Sequence, residues 1–380
     1  MYLIIVFILV VRPITIEVTQ RIEMSESDEL IRGVAKLRSE IYVLFRTGYS
    51  VSNVFRIRVF EDQYPFRLQT EINTEIIDSY AIVSSEKENC LYVSDCIQNC
   101  VWKITRETDD QNKIIKWLAT DYRPGYMSLS RDGELLVINK SSHSLVIYGS
   151  DAEFIRSIPL RRDIEDPLHA VETSIGNFII IDIHTKDEHE HEDEDEDENE
   201  EEEVKEEEGI LMEEGKQKEL VSVVSDKDED ENEDKDEEEE KEEQDVVMEE
   251  GKHADWSESR QGKGGSYRRK WEFDLSELTR DGQMVIRRFI PSSETQLDRL
   301  SYLSFDSDDR VFVADELNHK VILLDSDLKW NRILCPTKED KEEQILMGPD
   351  RFFYDEEMKQ LIVTGFSHKG SQVNVYTLRL

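Results

Sequence analysis

The alternation of apolar and polar positions gives the chain its plan. From Leu300 to Asp325 the sequence reads LSYLSFDSDDRVFVADELNHKVILLD; Val311, Val313, Val321 and Leu323 recur at period two, and Phe312, Ile322 and Leu324 make the opposite face apolar too. The pattern predicts apolar turns around Phe305, a strand Arg310 to Ala314, a polar turn Asp315 to His319 and a strand Lys320 to Leu324. A strand apolar on both faces needs cover on both sides, which stacked sheets or propeller blades supply. The frame recurs as EIYVLF from Glu40, CLYVSD from Cys90, LLVINK from Leu135, FIIIDI from Phe178 and LIVTGF from Leu361. Leu91 to Leu135 is 44 residues and Leu135 to Phe178 is 43; Ile41 to Leu91 and Val311 to Leu361 are 50 each. Phe178 to Val311 is longer because an insertion intervenes. Six copies at this period predict an all-β chain of six four-stranded blades.

The same pattern places other elements. Ser25 to Lys36 reads as a short helix or the lead-in to blade one, and Ile114 to Leu118 as the outer strand of blade two. Arg131-Asp132-Gly133, Gly149-Ser150-Asp151 and Asp281-Gly282 are tight turns, where Asp, Gly and Ser meet backbone demands. The chain stops on the third strand of the last repeat, so a fourth must come from elsewhere. Ile14 to Val18 is available, and borrowing it removes an open edge. The apolar run Tyr2 to Val11 is too short for a membrane helix and lacks the basic start of a secretory signal.

VFVADELNHKVILLD resembles an NHL repeat, named for an Asn-His-Leu triplet of which Asn318 and His319 match and Lys320 departs. LYVSDCIQNCVWKI shares only the strand-Asp-turn-strand frame. The resemblance implies an NHL- or TolB-like six-bladed propeller over roughly residues 31–186 and 267–380. In that family such propellers dock proteins, often as the substrate-choosing part of tripartite-motif ubiquitin ligases, and some bind RNA. The Cys/His array of a RING and a heptad run are both missing from this sequence.

Charge divides the chain into two materials. The net charge is -40, and Asp187 to Glu250 alone holds 37 acids against 6 lysines. Such a tract buries too little apolar area to offset its ordering entropy, so residues 187–266 read as a disordered acidic insertion in blade four. Two Met-Glu-Glu-Gly-Lys copies, at Met212 and Met248, point to low-complexity expansion. The domains are then 1–30 as lead-in, 31–186 as blades one to four, the insertion, and 267–380 as the remainder.

Candidate chemistry is sparse. Asp95, Asn139, Asp182 and Asp315 end the second strands, with Arg46 and Gly365 breaking the series. Carboxylates converging on a channel suit a calcium-dependent hydrolase of the lactonase type. An Asp opening a tight turn more simply caps that turn's own amides, the usual role in NHL-like repeats, and Asp315, Asn318 and His319 are turn residues of the frame that resembles one. His189 and His191 lie in the flexible tract and offer no preformed metal geometry. Cys90, Cys96, Cys100 and Cys335 form neither a CxxC nor a disulfide framework, and read as free thiols of a reducing compartment. Arg268, Arg269, Lys270, Arg287 and Arg288 are the candidate partner or RNA contacts; the tethered polyanion argues against RNA. The sequence thus predicts a cytoplasmic, noncatalytic protein-interaction propeller without cofactor or metal, its acidic arm available to basic proteins. The alternatives are a metal-dependent hydrolase or an RNA binder, and secretion if the N-terminal run is a signal.

Overall fold

The computed structural model describes residues 15–23, 29–47, 54–63, 65–106, 112–188, 268–289, 297–335, 346–367 and 370–379. The protein is a six-bladed β-propeller of four-stranded antiparallel sheets. Strand β1 (Thr15–Glu23) opens the chain. Blade one is β2 (Glu29–Leu37), β3 (Glu40–Thr47), β4 (Arg56–Glu61) and β5 (Leu68–Asn73). Blade two is β6 (Ile82–Ser85), β7 (Cys90–Asp95), β8 (Cys100–Arg106) and β9 (Asn112–Ala119). Blade three is β10 (Met127–Leu129), β11 (Leu135–Asn139), β12 (Ser144–Tyr148) and β13 (Phe154–Pro159). Blade four is β14 (Asp166–Glu172), β15 (Phe178–Glu188), β16 (Arg268–Leu278) and β17 (Val285–Phe289). Blade five is β18 (Leu300–Phe305), β19 (Val311–Asp315), β20 (Lys320–Leu324) and β21 (Trp330–Cys335). Blade six is β22 (Met347–Asp355), β23 (Gln360–Ser367) and β24 (Gly370–Arg379), with β1 as its fourth strand.

The first strands touch in a ring, β2 to β6 to β10 to β14 to β18 to β22 and back to β2, so they line the axis. Double-sided apolar strands explain the ring. Leu91 and Val93 of β7 face blade one, packing with Tyr42, Leu44 and Ile57, while Cys90 and Tyr92 face blade three, packing with Met127, Leu135 and Val137. An apolar cluster of this kind fills each junction between neighbouring blades. Closure comes from β1, which pairs antiparallel with β24 from Thr15↔Arg379 to Glu23↔Gln372. Beside that seam the Lys36 ammonium of blade one is held by Asp355 of blade six and by Asp62 at 2.6 Å.

The structure corrects or sharpens three expectations. The stretch around Phe305 is the first strand of blade five rather than apolar turns, because β19 offers it a partner edge from Leu300↔Asp315 to Phe305↔Val311. Of the two readings of Ser25 to Lys36 the lead-in to blade one holds: Glu29 to Leu37 is that blade's first strand, since β3 offers it a partner edge from Glu29↔Thr47 to Leu37↔Glu40. The blade-four hairpin takes in Asp187 and Glu188, the first two residues of the predicted insertion, pairing as far as Glu188↔Arg268. The rest of the predicted insertion, including His189, His191 and both pentapeptides, lies outside the described residues.

Candidate functional site

Turn geometry accounts for the series of second-strand polar residues. Asp95 accepts the amides of Ile97 (3.2 Å) and Gln98 (3.0 Å) in its own turn and of Ile77 (2.9 Å) in the approach to β6. Asp182 accepts Glu165 (2.9 Å) and Asp166 (2.8 Å), and Asp315 accepts the Asp298 amide (3.1 Å) and the Asn318 side-chain amide (2.9 Å). Asn139 accepts the Ser142 amide at 3.2 Å. Each carboxylate ties the end of the second strand to the chain entering its blade. Burial raises the Asp182 and Asp315 carboxyls above their ordinary value, against the pull of those donors. His319 accepts the Gly348 amide at 3.0 Å and so links blade five to blade six. In blade six Gly365 replaces the Asp, and a Cβ there would lie 2.7 Å from the Met347 carbonyl.

The residues that converge are others. On the axis, near the face that carries the turns between second and third strands (the upper face), Tyr126, His169, Tyr302 and Arg351 come from the first strands of blades three to six or their approaches. His169 pairs with Ile181, Tyr302 with Ala314 and Arg351 with Thr364, each opposite the residue preceding the second-strand polar position. The first strands therefore bring one register position to one level. His169 stacks on Tyr302 with centroids 4.5 Å apart, and Arg351 lies over Tyr126 at 4.3 Å and near Tyr302 at 5.7 Å. The guanidinium, 3% exposed, also donates to Tyr80 O at 3.2 Å and to the carboxylate and carbonyl of Asp350. Burial opposes its charge, but Asp350 and the tyrosines outweigh that and hold its pKa above the ordinary value.

His169 has no free nitrogen. Its Nδ1 accepts the Leu303 amide at 3.1 Å, which leaves Nε2 to donate to Met127 O at 3.3 Å. Burial, then Arg351, pushes its pKa down to about 3, so it stays neutral. Arg299 pairs with Glu316 at 3.2 Å at the rim. Burial, then the neighbouring Asp350 carboxylate, holds the Glu316 carboxyl up at about 7, against Arg299, Arg351 and Arg32. Arg32 of β2 completes the mouth; its influence reaches Tyr80, Tyr126 and Glu316.

Sequence reasoning passed over this cluster, although a signal existed. Tyr126, His169 and Tyr302 stand thirteen residues before Asn139, Asp182 and Asp315. The predicted basic contacts do not join it. Arg287 pairs with Glu277 (3.1 Å) and Asp327 (2.6 Å), and Arg288 with Asp163 (2.7 Å), on the outer strand of blade four. Arg268, Arg269 and Lys270 lie on β16 near the insertion, and only their backbone pairing is described. All four cysteines are buried thiols outside any disulfide. Burial raises the Cys96 thiol and pushes Cys100 up to about 11, which removes thiolate character. Among the described residues no group of His, Cys, Asp and Glu is arranged to hold a metal, and no helix is long and apolar enough to cross a membrane.

No family model matches the chain, and no curated protein does. Solved structures are similar in fold. A Bacteroides thetaiotaomicron protein of unknown function is 9% identical, with a TM-score of 0.51 over 94% of this chain and 71% of that one. Virginiamycin B lyase from Staphylococcus aureus is 9% identical at a TM-score of 0.48, covering 97% of this chain and 100% of that one. A Lactobacillus plantarum protein gives 9% and 0.47, with 92% and 88% covered. Identities this low show a shared propeller fold and leave the chemistry to the residues above.

Proposed function

We propose that this propeller is a noncatalytic docking module that seats a protein partner across the upper mouth of its channel. The observation that carries this is a pair of exposed apolar side chains at one turn position. Ile97 follows Asp95 by two residues and is 43% exposed; Leu317 follows Asp315 by two and is 50% exposed. The blade-three turn has Ser141 there, so the turn itself does not demand an apolar residue. Blades two and five stand opposite each other in the ring, and Tyr80, 37% exposed, has its ring 5.9 Å from that of the axis-side Tyr126. Exposed apolar anchors beside a polar rim suit a protein interface. The groups that would run chemistry are committed: His169 is bonded at both nitrogens and the second-strand carboxylates hold amides. The NHL-like blade-five frame supports the same reading, including substrate choice for a separate ubiquitin ligase.

Affinity capture tests it with the full chain, with Ile97→Asp/Leu317→Asp, and with a chain lacking Asp187 to Gly265. The expected result is a partner held by the full chain and by the shortened one, and lost with the double variant at unchanged melting temperature. Identical capture by all three chains would end this reading. One observation favours an enzyme instead: Glu316, held near neutrality in the mouth, suits general acid-base work.

A further inference from the structure

Arg32 is half-buried, and one of its nitrogens is left unserved by the fold. It sits on the axis-lining strand β2 at a bulge, since Ile31 pairs with Phe45 and Gly33 with Leu44 while Arg32 pairs with nothing. Bulges of this kind re-aim a side chain beside functional sites. Its Nε is buried without a hydrogen-bond partner. A buried guanidinium N–H left unpaired is costly and uncommon, and in a native protein it calls for an explanation.

The neighbours state what would satisfy it. Among the described residues Arg351 is paired with Asp350 and Arg299 with Glu316, while no carboxylate is paired with Arg32. Asp78, which also acts on Tyr80, has interactions of its own. Asp350 and Glu316 oppose a dianion such as phosphate more strongly than a monoanion. A carboxylate matches the fork of a guanidinium with two parallel hydrogen bonds. The Arg32 charge reaches Tyr80 and Tyr126, whose ring centroids are 5.9 Å apart, and Tyr302 follows beside Arg351; such rings accept a flat or apolar body.

We infer that the upper channel mouth is a carboxylate-binding site in which Arg32 holds the anion and the tyrosines hold an aromatic or apolar body, the natural source being the chain end of the docked partner. This rests on the upper face being the docking face. Titration calorimetry on the full chain uses 3-phenylpropionate, its amide, the peptide acetyl-Gly-Gly-Phe with a free carboxylate, and inorganic phosphate. Both acids are expected to bind, with at least tenfold weaker binding for the amide, for phosphate, and for either acid to Arg32→Gln. Binding of the free acid alone keeps the carboxylate site and assigns it a small molecule. Equal binding of acid and amide, tightest binding of phosphate, an Arg32→Gln chain that binds the acids as the parent does, or no binding would overturn the inference. Arg32→Gln is expected to melt no lower than the parent, because it removes an unpartnered charge; a marked drop would make Arg32 structural and would overturn it too. Failure here alongside loss of the partner from Ile97→Asp/Leu317→Asp sinks the carboxylate and leaves the docking reading intact.

Discussion

Gly365 shows how one residue records its surroundings. Asp occupies the equivalent position in blades two, four and five, where it gathers amides. In blade six the entering strand comes too close: a Cβ would meet the Met347 carbonyl at 2.7 Å and the Leu346 side chain at 2.8 Å. Gly365→Ala is therefore expected to cost about 1 to 3 kcal/mol, the range for overpacking a tight site, read as a lower urea midpoint at unchanged slope. Glu316 yields a pH prediction. Its folded-state pKa, about 7, lies above the ordinary 4.5, so between these values the folded chain holds a proton that the unfolded chain has released. Stability from this group is complete below pH 4.5, falls as pH rises toward 7, and is level beyond. Melting temperatures of the parent and Glu316→Gln are expected to agree best near pH 4.5 and to diverge by pH 8 in favour of the variant. A constant gap across that range would show that the carboxyl titrates normally.

At the level of the element, β1 decides whether the ring is closed. It covers the edge of β24, and Ile22, 6% exposed, packs with Ile31, Val43 and Val375 at the junction of blades six and one. Removing residues 15–23 exposes that edge and opens the cluster. Loss of one buried Ile is worth about 2 to 5 kcal/mol, so truncation is expected to lower stability by at least about 3 kcal/mol and to promote association through the bared strand. Denaturant midpoints and light scattering would read both effects. An unshifted midpoint would mean that blade six stands on three strands. The borrowed strand was legible in the sequence because a count of strands left one wanting. Strands β2 and β18 were harder to read: β2 carries a bulge at Arg32, and β18 ends in Ser304-Phe305 beside an Asp-rich turn, so local pattern alone hid their pairing.

For the whole molecule, the repeat was readable and the axis was not, for one physical reason. Packing between blades needs apolar residues at every equivalent place, so each copy of the second strand announces itself. The channel mouth needs only that different residues reach one level, and Tyr126, His169, Tyr302 and Arg351 share a register without sharing a chemistry. The acidic tract poses the opposite case, conspicuous in sequence and joined to the fold at a single hairpin. The β15–β16 ladder stays in register to Glu188↔Arg268, so both ends of the tract leave from paired strands lying side by side. A connection whose ends are already together adds only slowly to the cost of folding, because loop-closure entropy grows only with the logarithm of length. Replacing residues 189–267 by a two-residue Asn-Gly turn shortens the connection by about five doublings, which removes about 3 kcal/mol of closure entropy and is expected to raise the thermal midpoint by several degrees, at roughly 2 to 4 °C per kcal/mol. The same chain should bind a basic probe such as polylysine far more weakly at low salt, with the difference vanishing as salt screens the tract. A midpoint lowered by ten degrees would instead mean that the tract contributes packing to the blades.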